Sequence, residues 1–384
     1  MYKEVVGFIK DTFNVADDFI PLHEPRFIGN EREYVMDCID STFVSSVGKY
    51  VNLFEDKVKE FTGSKYAIAT TNGSAALHLS LILAGVKRDE LVITQPLTFI
   101  ATCNAISYIG AEPLFIDVDL NTKGLSPAKL EDFLKNNTNQ DSKGNLYHSA
   151  SGKRISACVP MHTFGHPAEI EELVKICDIF NIPLIEDAAE SIGSISNGVQ
   201  TGRFGLMGTF SFNGNKTITC GGGGMIITDN DEIGLMAKHL STQSKIPHPW
   251  NFEHDNIGYN YRLPNLNAAM ACAQVEQLDF FIENKRELAG LYSDFFKNTS
   301  IDFVSEPVKC SSNYWLNAVL LKDLEERNAF LEYTNKNNVM TRPVWTLMTK
   351  LDMFKDSVRG NIDNAEWLED RLVNIPSSVR IDSI

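Results

Sequence analysis

The segment at 208–216 is Gly208-Thr209-Phe210-Ser211-Phe212-Asn213-Gly214-Asn215-Lys216, and four glycines follow at 221–224. Its apolar first half predicts a strand, and the glycines on both sides of Lys216 predict turns. A lysine in such a position is poorly explained as a solvated surface charge. It is better explained as an amine held in a pocket, where it can bond a carbonyl carbon. Lys216 is therefore predicted to be catalytic.

An acidic partner for this lysine lies upstream, after the apolar run Pro183-Leu184-Ile185. Asp187 precedes Lys216 by 216 − 187 = 29 residues. A buried carboxylate is costly unless it is paired, and a protonated pyridine nitrogen is a suitable partner. The alternative is a helix cap, because Ala188-Ala189-Glu190 follows. Together the two residues predict pyridoxal phosphate (PLP), with Lys216 forming a Schiff base and Asp187 pairing with the ring nitrogen.

The composition limits the classes of partner. The chain has 384 residues and a net charge of −15, from 50 acidic and 35 basic residues. This length predicts two domains, and the acidic surface argues against nucleic acid or an anionic membrane as the main partner. Seven cysteines without a Cys-x-x-Cys pair predict neither a disulfide framework nor a zinc site, and they fit a reducing cytosol.

The sequence also predicts a cytoplasmic location without membrane contact. The first eleven residues are too charged for a signal peptide. No apolar run approaches the ~20 residues that span a bilayer.

Short apolar runs alternate with helix-length amphipathic segments through the first half of the chain. This alternation predicts an α/β fold with a mainly parallel sheet covered on both faces. The predicted domains are an N-terminal extension helix in 1–19, a large cofactor-binding domain in 20–274 and a smaller C-terminal α+β domain in 275–384. Strands are predicted at 66–70, 91–94, 113–117, 157–161 and 183–185.

In such a sheet, ligands collect at the carboxyl ends of the strands. His162 and Asp187 each follow a predicted strand, so they are expected at that edge, and His162 is a candidate for substrate contact. His162 and His166 have the spacing of a metal pair on a helix. The segment Gly165-His166-Pro167 predicts a turn instead, so no metal site is predicted.

Gly73, Ser74 and Ala75 follow the first predicted strand and open a predicted helix. Gly73 allows close backbone approach, and the N–H groups of Ser74 and Ala75 at the helix N-terminus can hold a phosphate. A plain helix cap is an equal alternative. Ser211 could reach the same phosphate, against the alternative of a buried structural serine.

Two further positions carry polar or aromatic groups with a possible ligand role. Phe99 could stack on the pyridine ring, although a core position is the more common one for any single phenylalanine among 23. Asn260 and Arg262 lie in Gly258-Tyr259-Asn260-Tyr261-Arg262, just before the predicted second domain. The alternative there is an ordinary loop packed by its two tyrosines.

Six motifs, in this order, resemble those of the DegT/DnrJ family of PLP-dependent sugar aminotransferases. That family has the aspartate aminotransferase architecture, fold type I. The likeness spans roughly residues 20 to 350. The motifs are Asn72-Gly73-Ser74-Ala75-Ala76-Leu77-His78, Pro96-Leu97-Thr98-Phe99, His162-Thr163-Phe164-Gly165-His166-Pro167, Glu186-Asp187-Ala188-Ala189-Glu190, Ser211-Phe212-Asn213-Gly214-Asn215-Lys216 and Gly258-Tyr259-Asn260-Tyr261-Arg262.

The resemblance implies a role for each matching residue. Asn260 would reach the phosphate of a neighbouring subunit, which implies a C2 homodimer with shared active sites. The other implied roles are phosphate contact by Ser74, Ala75 and Ser211, ring stacking by Phe99, pairing of Asp187 with the ring nitrogen, a position for Glu190 near the ring hydroxyl, and the Schiff base at Lys216.

The chain departs from the family pattern at three places. Many relatives have glutamine where Glu190 stands, and a carboxylate donates to the ring oxygen only when it is protonated. Relatives usually have Gly-Glu-Gly-Gly where this chain has Gly221-Gly222-Gly223-Gly224. The chain also stops soon after Asn374-Ile375-Pro376-Ser377-Ser378, where many relatives add a helix.

The resemblance implies transfer of an amino group from L-glutamate to a nucleotide-linked keto sugar, for bacterial surface glycan or nonulosonic acid biosynthesis. Three features are most similar to legionaminic-acid-type enzymes: the segment Thr341-Arg342-Pro343-Val344-Trp345, the segment Lys350-Leu351-Asp352-Met353-Phe354-Lys355 and the glycine run. Those resemble aminotransferases that act at C4 of UDP-4-keto-6-deoxy-N-acetylglucosamine. Arg262 and Arg342 are candidates to bind the donor carboxylate or the sugar diphosphate.

Two alternatives remain at this point. PLP-dependent sugar dehydratases share the fold, but a histidine replaces the lysine in them, and Lys216 speaks against that class. The other alternative is a non-enzymatic regulator that keeps the cofactor pocket, since a fold alone does not define an activity.

Overall fold

The computed structural model describes residues 1–381 of the chain. Within that range, no helix has both the length and the apolar character that crossing a bilayer requires. The helices are α1 (Tyr2–Thr12), α2 (Glu31–Asp40), α3 (Lys49–Thr62), α4 (Gly73–Leu83), α5 (Ile100–Tyr108), α6 (Pro127–Asn137), α7 (Ile170–Ile179), α8 (Asp231–Ser241), α9 (Asn265–Val275), α10 (Leu278–Phe296), α11 (Leu324–Lys336) and α12 (Asp363–Glu369). The strands are β1 (Tyr66–Thr70), β2 (Leu91–Thr94), β3 (Glu112–Phe115), β4 (Thr138–Gln140), β5 (Leu146–His148), β6 (Arg154–Val159), β7 (Ile185–Asp187), β8 (Ile195–Ser196), β9 (Val199–Gln200), β10 (Met207–Ser211), β11 (Gly224–Thr228), β12 (Asp302–Phe303), β13 (Cys310–Ser311), β14 (Asn317–Leu320), β15 (Arg342–Pro343) and β16 (Leu372–Ile375).

The central sheet has the strand order β1-β11-β10-β7-β6-β2-β3. Parallel bridges between Cys158 and Leu184 and between Met161 and Asp187 connect β6 to β7. The strands β1-β11-β10-β7 and the strands β6-β2-β3 therefore form one continuous sheet. β11 is antiparallel to both of its neighbours, and the other pairs are parallel. The predicted mainly parallel α/β sheet is confirmed.

Both faces of this sheet are covered by helices, which explains why its strands are continuously apolar. Successive residues of β11 point to opposite faces. Ile226 packs in a core with Leu79 of α4 and Ile106 of α5. Ile227 packs in a second core with Phe54 of α3 and with α9. The sheet is therefore a rigid internal layer, and its strand ends present side chains at fixed positions.

A second, antiparallel sheet in the C-terminal part has the order β12-β14-β16-β15. Helices α10 and α11 pack on it together with α1, from the other end of the chain. Val5 and Ile9 of α1 are buried in one core with Tyr292 of α10 and Phe330 of α11. The first helix is thus part of the C-terminal packing.

Asp117, two residues beyond β3, connects the central sheet to the C-terminal part. Its buried carboxylate accepts hydrogen bonds from the backbone N–H groups of Val118 (2.9 Å), Asn364 (3.0 Å) and Ala365 (2.9 Å). The last two belong to the first turn of α12, where a carboxylate also interacts favourably with the helix dipole. Burial raises the pKa of Asp117, and these N–H groups act in the opposite direction.

Candidate active site

A cavity of about 270 Å³ lies where β7 and β10 end and α4 begins. This is the edge of the sheet at which the sequence places the site. The lining residues are Asn72, Gly73, Ser74, Leu77, Phe99, Ala101, Met161, Asp187, Ala189, Glu190, Ser211, Asn213, Asn215, Lys216, Trp315 and Trp345.

Asp187 is the last residue of β7, and only 3% of it is exposed. Its Oδ2 accepts a hydrogen bond from the Thr102 hydroxyl at 2.7 Å, and its Oδ1 accepts one from the Ala189 N–H at 3.2 Å. Burial raises the pKa of Asp187, although both hydrogen bonds and the nearby Lys216 oppose that shift. Thr102 fixes the orientation of the carboxylate, which is therefore a fixed partner for a cationic ligand atom.

Lys216 extends from a turn that follows β10, in which its N–H donates to the Asn213 carbonyl at 3.0 Å. The Lys216 amine has two close neighbours in the cavity. Its Nζ lies 3.4 Å from Glu190 Oε1 and 4.1 Å from the centroid of the Trp315 ring. The side chain is 12% exposed, so the amine is largely shielded from water.

Glu190 is fully enclosed, and its second oxygen, Oε2, accepts a hydrogen bond from the Phe164 N–H at 2.9 Å. Burial raises the pKa of Glu190 to about 7, although the nearby Lys216 amine pulls it down. Phe164 has a φ of 59°, in the left-handed region that residues with a Cβ rarely adopt. This strained turn directs the N–H at the carboxylate.

The N-terminus of α4 forms the side of the cavity suited to a phosphate. A Cβ on Gly73 would lie 2.9 Å from the Ser211 Cβ, so a glycine is needed for α4 to approach β10. Ser74 and Ser211 both line the cavity. The Asn72 side chain caps α4 by accepting from the Ala75 N–H at 2.8 Å. The Ala75 N–H is thus engaged in the cap, the alternative that the sequence left open.

The glycine run also serves close packing beside the cavity. A Cβ on Gly224 would lie 2.4 Å from the carbonyl carbon of Asn72. Gly224 is paired with Thr70 in β1 and with Ser211 in β10. In contrast, a Cβ on Gly222 would meet only the Thr71 oxygen, at 3.8 Å. The position where relatives carry glutamate is therefore the roomy one.

Three of the predicted substrate contacts lie away from this cavity. His162 is buried behind it: its Nδ1 accepts from the Ala168 N–H at 3.1 Å, so its Nε2 carries the proton and donates to Glu186 at 2.9 Å. This pairing gives His162 a structural contact in place of a substrate contact. Arg342 is exposed on β15, and Arg262 does not line the cavity.

Asn260, the predicted phosphate contact of a neighbouring subunit, lies beside Arg262 on the surface. Its Oδ1 accepts from Arg262 Nε at 3.1 Å and from Nη2 at 3.0 Å. Of the lining residues in the described part of the chain, only Lys216 is basic. One chain thus provides a single cation for ligands that carry several negative charges.

One side of the cavity is an aromatic wall formed by Phe99, Trp315 and Trp345, and the sequence did not predict it as a whole. Phe99 was predicted, but the two tryptophans were not. Phe99 and Trp345 have ring centroids 6.2 Å apart, and Phe99 is 48% exposed. Thr102, which orients Asp187, was missed as well. The chain has only four tryptophans, and this scarcity was the signal in the sequence that could have drawn attention to Trp315 and Trp345.

Comparisons with known proteins identify the family of this chain. A model of the DegT/DnrJ/EryC1/StrS aminotransferase family matches residues 26–383. The GDP-perosamine synthase of Escherichia coli O157:H7 is 36% identical over 359 residues, which are 94% of this chain and 93% of the relative. That of Vibrio cholerae is 35% identical over 338 residues, 88% of this chain and 87% of the relative.

A solved structure extends the likeness to the fold. Helicobacter pylori PseC, an aminotransferase involved in pseudoaminic acid biosynthesis, superposes with a TM-score of 0.83 at 22% identity, covering 94% of each chain. The chain belongs to the DegT/DnrJ/EryC1/StrS aminotransferase family. It is a PLP-dependent enzyme of the transaminase class with fold type I, as the sequence predicts.

The residues in the cavity fit that cofactor. Asp187 is a buried carboxylate whose hydrogen-bond partners are neutral donors, and burial raises its pKa. A protonated ring nitrogen would supply the positive charge that favours the ionised form of this carboxylate. Gly73 leaves a cradle that a Cβ would fill, at the start of a helix that favours an anion. Lys216 would provide the amine that bonds the carbonyl carbon of the cofactor.

Proposed function

We propose that this chain transfers an amino group from L-glutamate to the keto carbon of a nucleotide-linked 4-keto-6-deoxy sugar. The convergence of Lys216, Asp187 and Glu190 in one cavity beside the aromatic wall carries this proposal. Two relatives that cover most of the chain are named for a nucleotide-linked amino sugar, which supports a substrate of this class.

Each of several cavity residues would bind a different part of the cofactor. PLP supplies an electron sink for the carbon that loses its proton. Asp187 would pair with the protonated ring nitrogen. Ser74, Ser211 and the N-terminus of α4 would hold the phosphate, and Glu190 would serve the ring hydroxyl. Phe99 would provide an aromatic face for the ring.

Lys216 moves the protons in both half-reactions. It takes the proton from the α carbon of glutamate in the first, and it returns a proton to the sugar carbon in the second. A largely shielded amine suits this task, because water competes poorly for the proton. Glutamate and sugar use one site in turn, so ping-pong kinetics are expected.

The nucleotide is the finer part of the proposal. The likeness of 341–345 and of the glycine run to legionaminic-acid-type enzymes favours UDP-4-keto-6-deoxy-N-acetylglucosamine, with amination at C4. The two named synthases make a GDP-linked sugar the second candidate. The aromatic wall suits the apolar face of a deoxy sugar in either case.

We also propose a C2 homodimer in which Asn260 and Arg262 complete the partner's site. The single cation in the cavity of one chain supports this, because the substrates carry a carboxylate and a diphosphate. The loop that leads to Asn260 also exposes large apolar side chains, with Trp250 76%, Phe252 81% and Ile257 86% exposed. Such exposure is unusual on a free surface.

Purified enzyme loaded with PLP would be given glutamate and either the UDP-linked or the GDP-linked keto sugar, with the amino sugar measured by mass spectrometry. The UDP-linked product is expected. Product from the GDP-linked sugar alone would select the second candidate, and no product from either would refute the proposed substrate class. Glutamate-dependent bleaching of the cofactor band near the violet, lost in Lys216→Ala, reports the first half-reaction separately.

Shared sites can be tested by mixing two variants that are each inactive. Lys216→Ala and Arg262→Ala subunits, exchanged at random, place one intact site in each mixed dimer, so about a quarter of full activity should return. A mixture that remains inactive while subunit exchange is demonstrated would exclude a shared site.

The two alternative classes make different predictions. A dehydratase would release a sugar hydroxyl as water and leave no amine on the sugar product, and Lys216 is the wrong residue for it. A regulator that only binds PLP would show no turnover with any keto sugar, although its cofactor band would be present.

A further inference from the structure

The amine of Lys216 lies between two groups that hold it in place. Glu190 Oε1 is 3.4 Å from Nζ, and the Trp315 ring centroid is 4.1 Å from it. A carboxylate and the face of an indole are both attractive to an ammonium group, most strongly where water is excluded. In a complete transamination this amine leaves its carbonyl partner during the first half-reaction and returns to it at the end of the second.

Trp315 is a rigid platform. It is 4% exposed, and its indole Nε1 donates to the Asn215 carbonyl at 2.6 Å. Its backbone N–H donates to Asn313 Oδ1 at 2.9 Å, and its carbonyl accepts from Lys285 Nζ at 3.2 Å. The indole hydrogen bond and burial restrict rotation of the ring, and the other two hydrogen bonds fix the backbone that carries it.

Glu190 is also held in place, and Asn313 contacts it as well as Trp315. Asn313 Nδ2 donates to the Glu190 carbonyl at 2.9 Å, while Asn313 Oδ1 accepts from Trp315. One buried asparagine side chain thus joins the backbone of Glu190 to the backbone of Trp315. The Glu190 carboxylate is held separately by the strained Phe164 turn, whose N–H donates to Oε2. The two neighbours of the Lys216 amine are therefore fixed relative to one another through their backbones.

We propose that Glu190 and Trp315 form a resting site for the Lys216 amine, which holds it beside the reacting atoms whenever substrate has displaced it. Trp315 is a positioning residue in this scheme. A free lysine side chain has four rotatable bonds, and confining it avoids an entropic cost at each return. The resting site also accounts for a carboxylate at the position where many relatives have glutamine. It rests on the transaminase chemistry and is independent of the sugar.

The reactivity of Lys216 tests the resting site directly. Full-length protein freed of cofactor would react briefly with dilute acetic anhydride at pH 8.5, and mass spectrometry would measure acetylation of Lys216 relative to the exposed Lys175. This pH lies above the pKa of about 7 of buried Glu190, so the carboxylate beside the amine is ionised. Only a neutral amine reacts, so a held ammonium group is protected. Glu190→Gln and Trp315→Leu are each expected to accelerate Lys216 acetylation about tenfold.

Matched variants separate this effect from access to the cavity. Trp345→Leu opens the same aromatic wall without removing a neighbour of the amine, and it should change the rate by less than about twofold. Trp315→Phe keeps a ring face and should remain within about threefold of the native rate. Glu190→Gln does not alter the size of the side chain, and it serves if Trp315→Leu does not fold.

Two results would overturn the resting site. One is native reactivity of Lys216 in both Glu190→Gln and Trp315→Leu. The other is equal acceleration by Trp345→Leu, which would show that access alone controls the rate. Because no sugar is used, either result leaves the proposed substrate class untouched.

Discussion

Replacing Glu190 by glutamine is expected to change how the stability of the cofactor-free protein depends on pH. Burial raises the pKa of Glu190 from 4.5 to about 7. Between these values the folded protein keeps a proton that the unfolded chain has lost, so the free energy of unfolding falls as the pH rises. A pKa raised from 4.5 to about 7 corresponds to about 3 kcal/mol in the free energy of unfolding.

Glutamine has no proton to lose, so Glu190→Gln should gain about 3 kcal/mol relative to the native protein between pH 4.5 and pH 8. Urea unfolding of both proteins at several pH values, followed by tryptophan fluorescence, measures this difference. Glu172→Gln, at an exposed surface position, provides the control and should give a flat difference. A difference that is also flat for Glu190→Gln would refute the argument that burial costs the carboxylate its charge.

Three further changes test the cofactor cradle and the packing that supports it. Lys216→Ala should bind PLP without the band of the lysine-bound form and should not turn over, as absorbance and product assays would show. Gly73→Ala places a Cβ 2.9 Å from the Ser211 Cβ and should weaken PLP binding at least tenfold in an absorbance titration, whereas Gly290→Ala, with open space around its Cβ, should not. Asp117→Ala leaves three buried N–H groups without their acceptor and should cost about 3 kcal/mol of stability in urea unfolding; native stability would show that Asp117 is not the link between the two parts of the molecule.

The sequence predicts those parts of the site that lie at the end of a strand or in a turn. Asp187 ends β7, Ser211 ends β10, and Lys216 follows in the next turn, so local pattern alone places them at one edge of the sheet. The parallel sheet was predictable for the same reason, because its doubly covered strands are short continuous apolar runs. The antiparallel β11 was not, because an apolar strand does not indicate its direction.

The remainder of the site depends on contacts between distant segments. Trp315 reaches Lys216 only because the C-terminal part packs against the turn after β10. The spacing of apolar residues predicts helices and strands, but it does not show which distant segments contact one another. His162 shows the converse: its place after a strand suggested the site, but Glu186 and the Ala168 N–H hold its ring inside the protein. The local sequence pattern could not predict whether Arg262 and Arg342 lie at the site. In the structure, neither arginine lines the cavity of the chain to which it belongs.

The position of Trp315 also bears on how the protein is made. Lys216 is synthesised about a hundred residues before the indole that shields its amine, since Trp315 and Asn215 are separated by 100 positions. A nascent chain that has emerged only as far as residue 300 already carries the lysine but leaves it open to water. Completion of the C-terminal part therefore closes the site, and a chain released too early would carry an amine exposed to any reactive aldehyde in the cell.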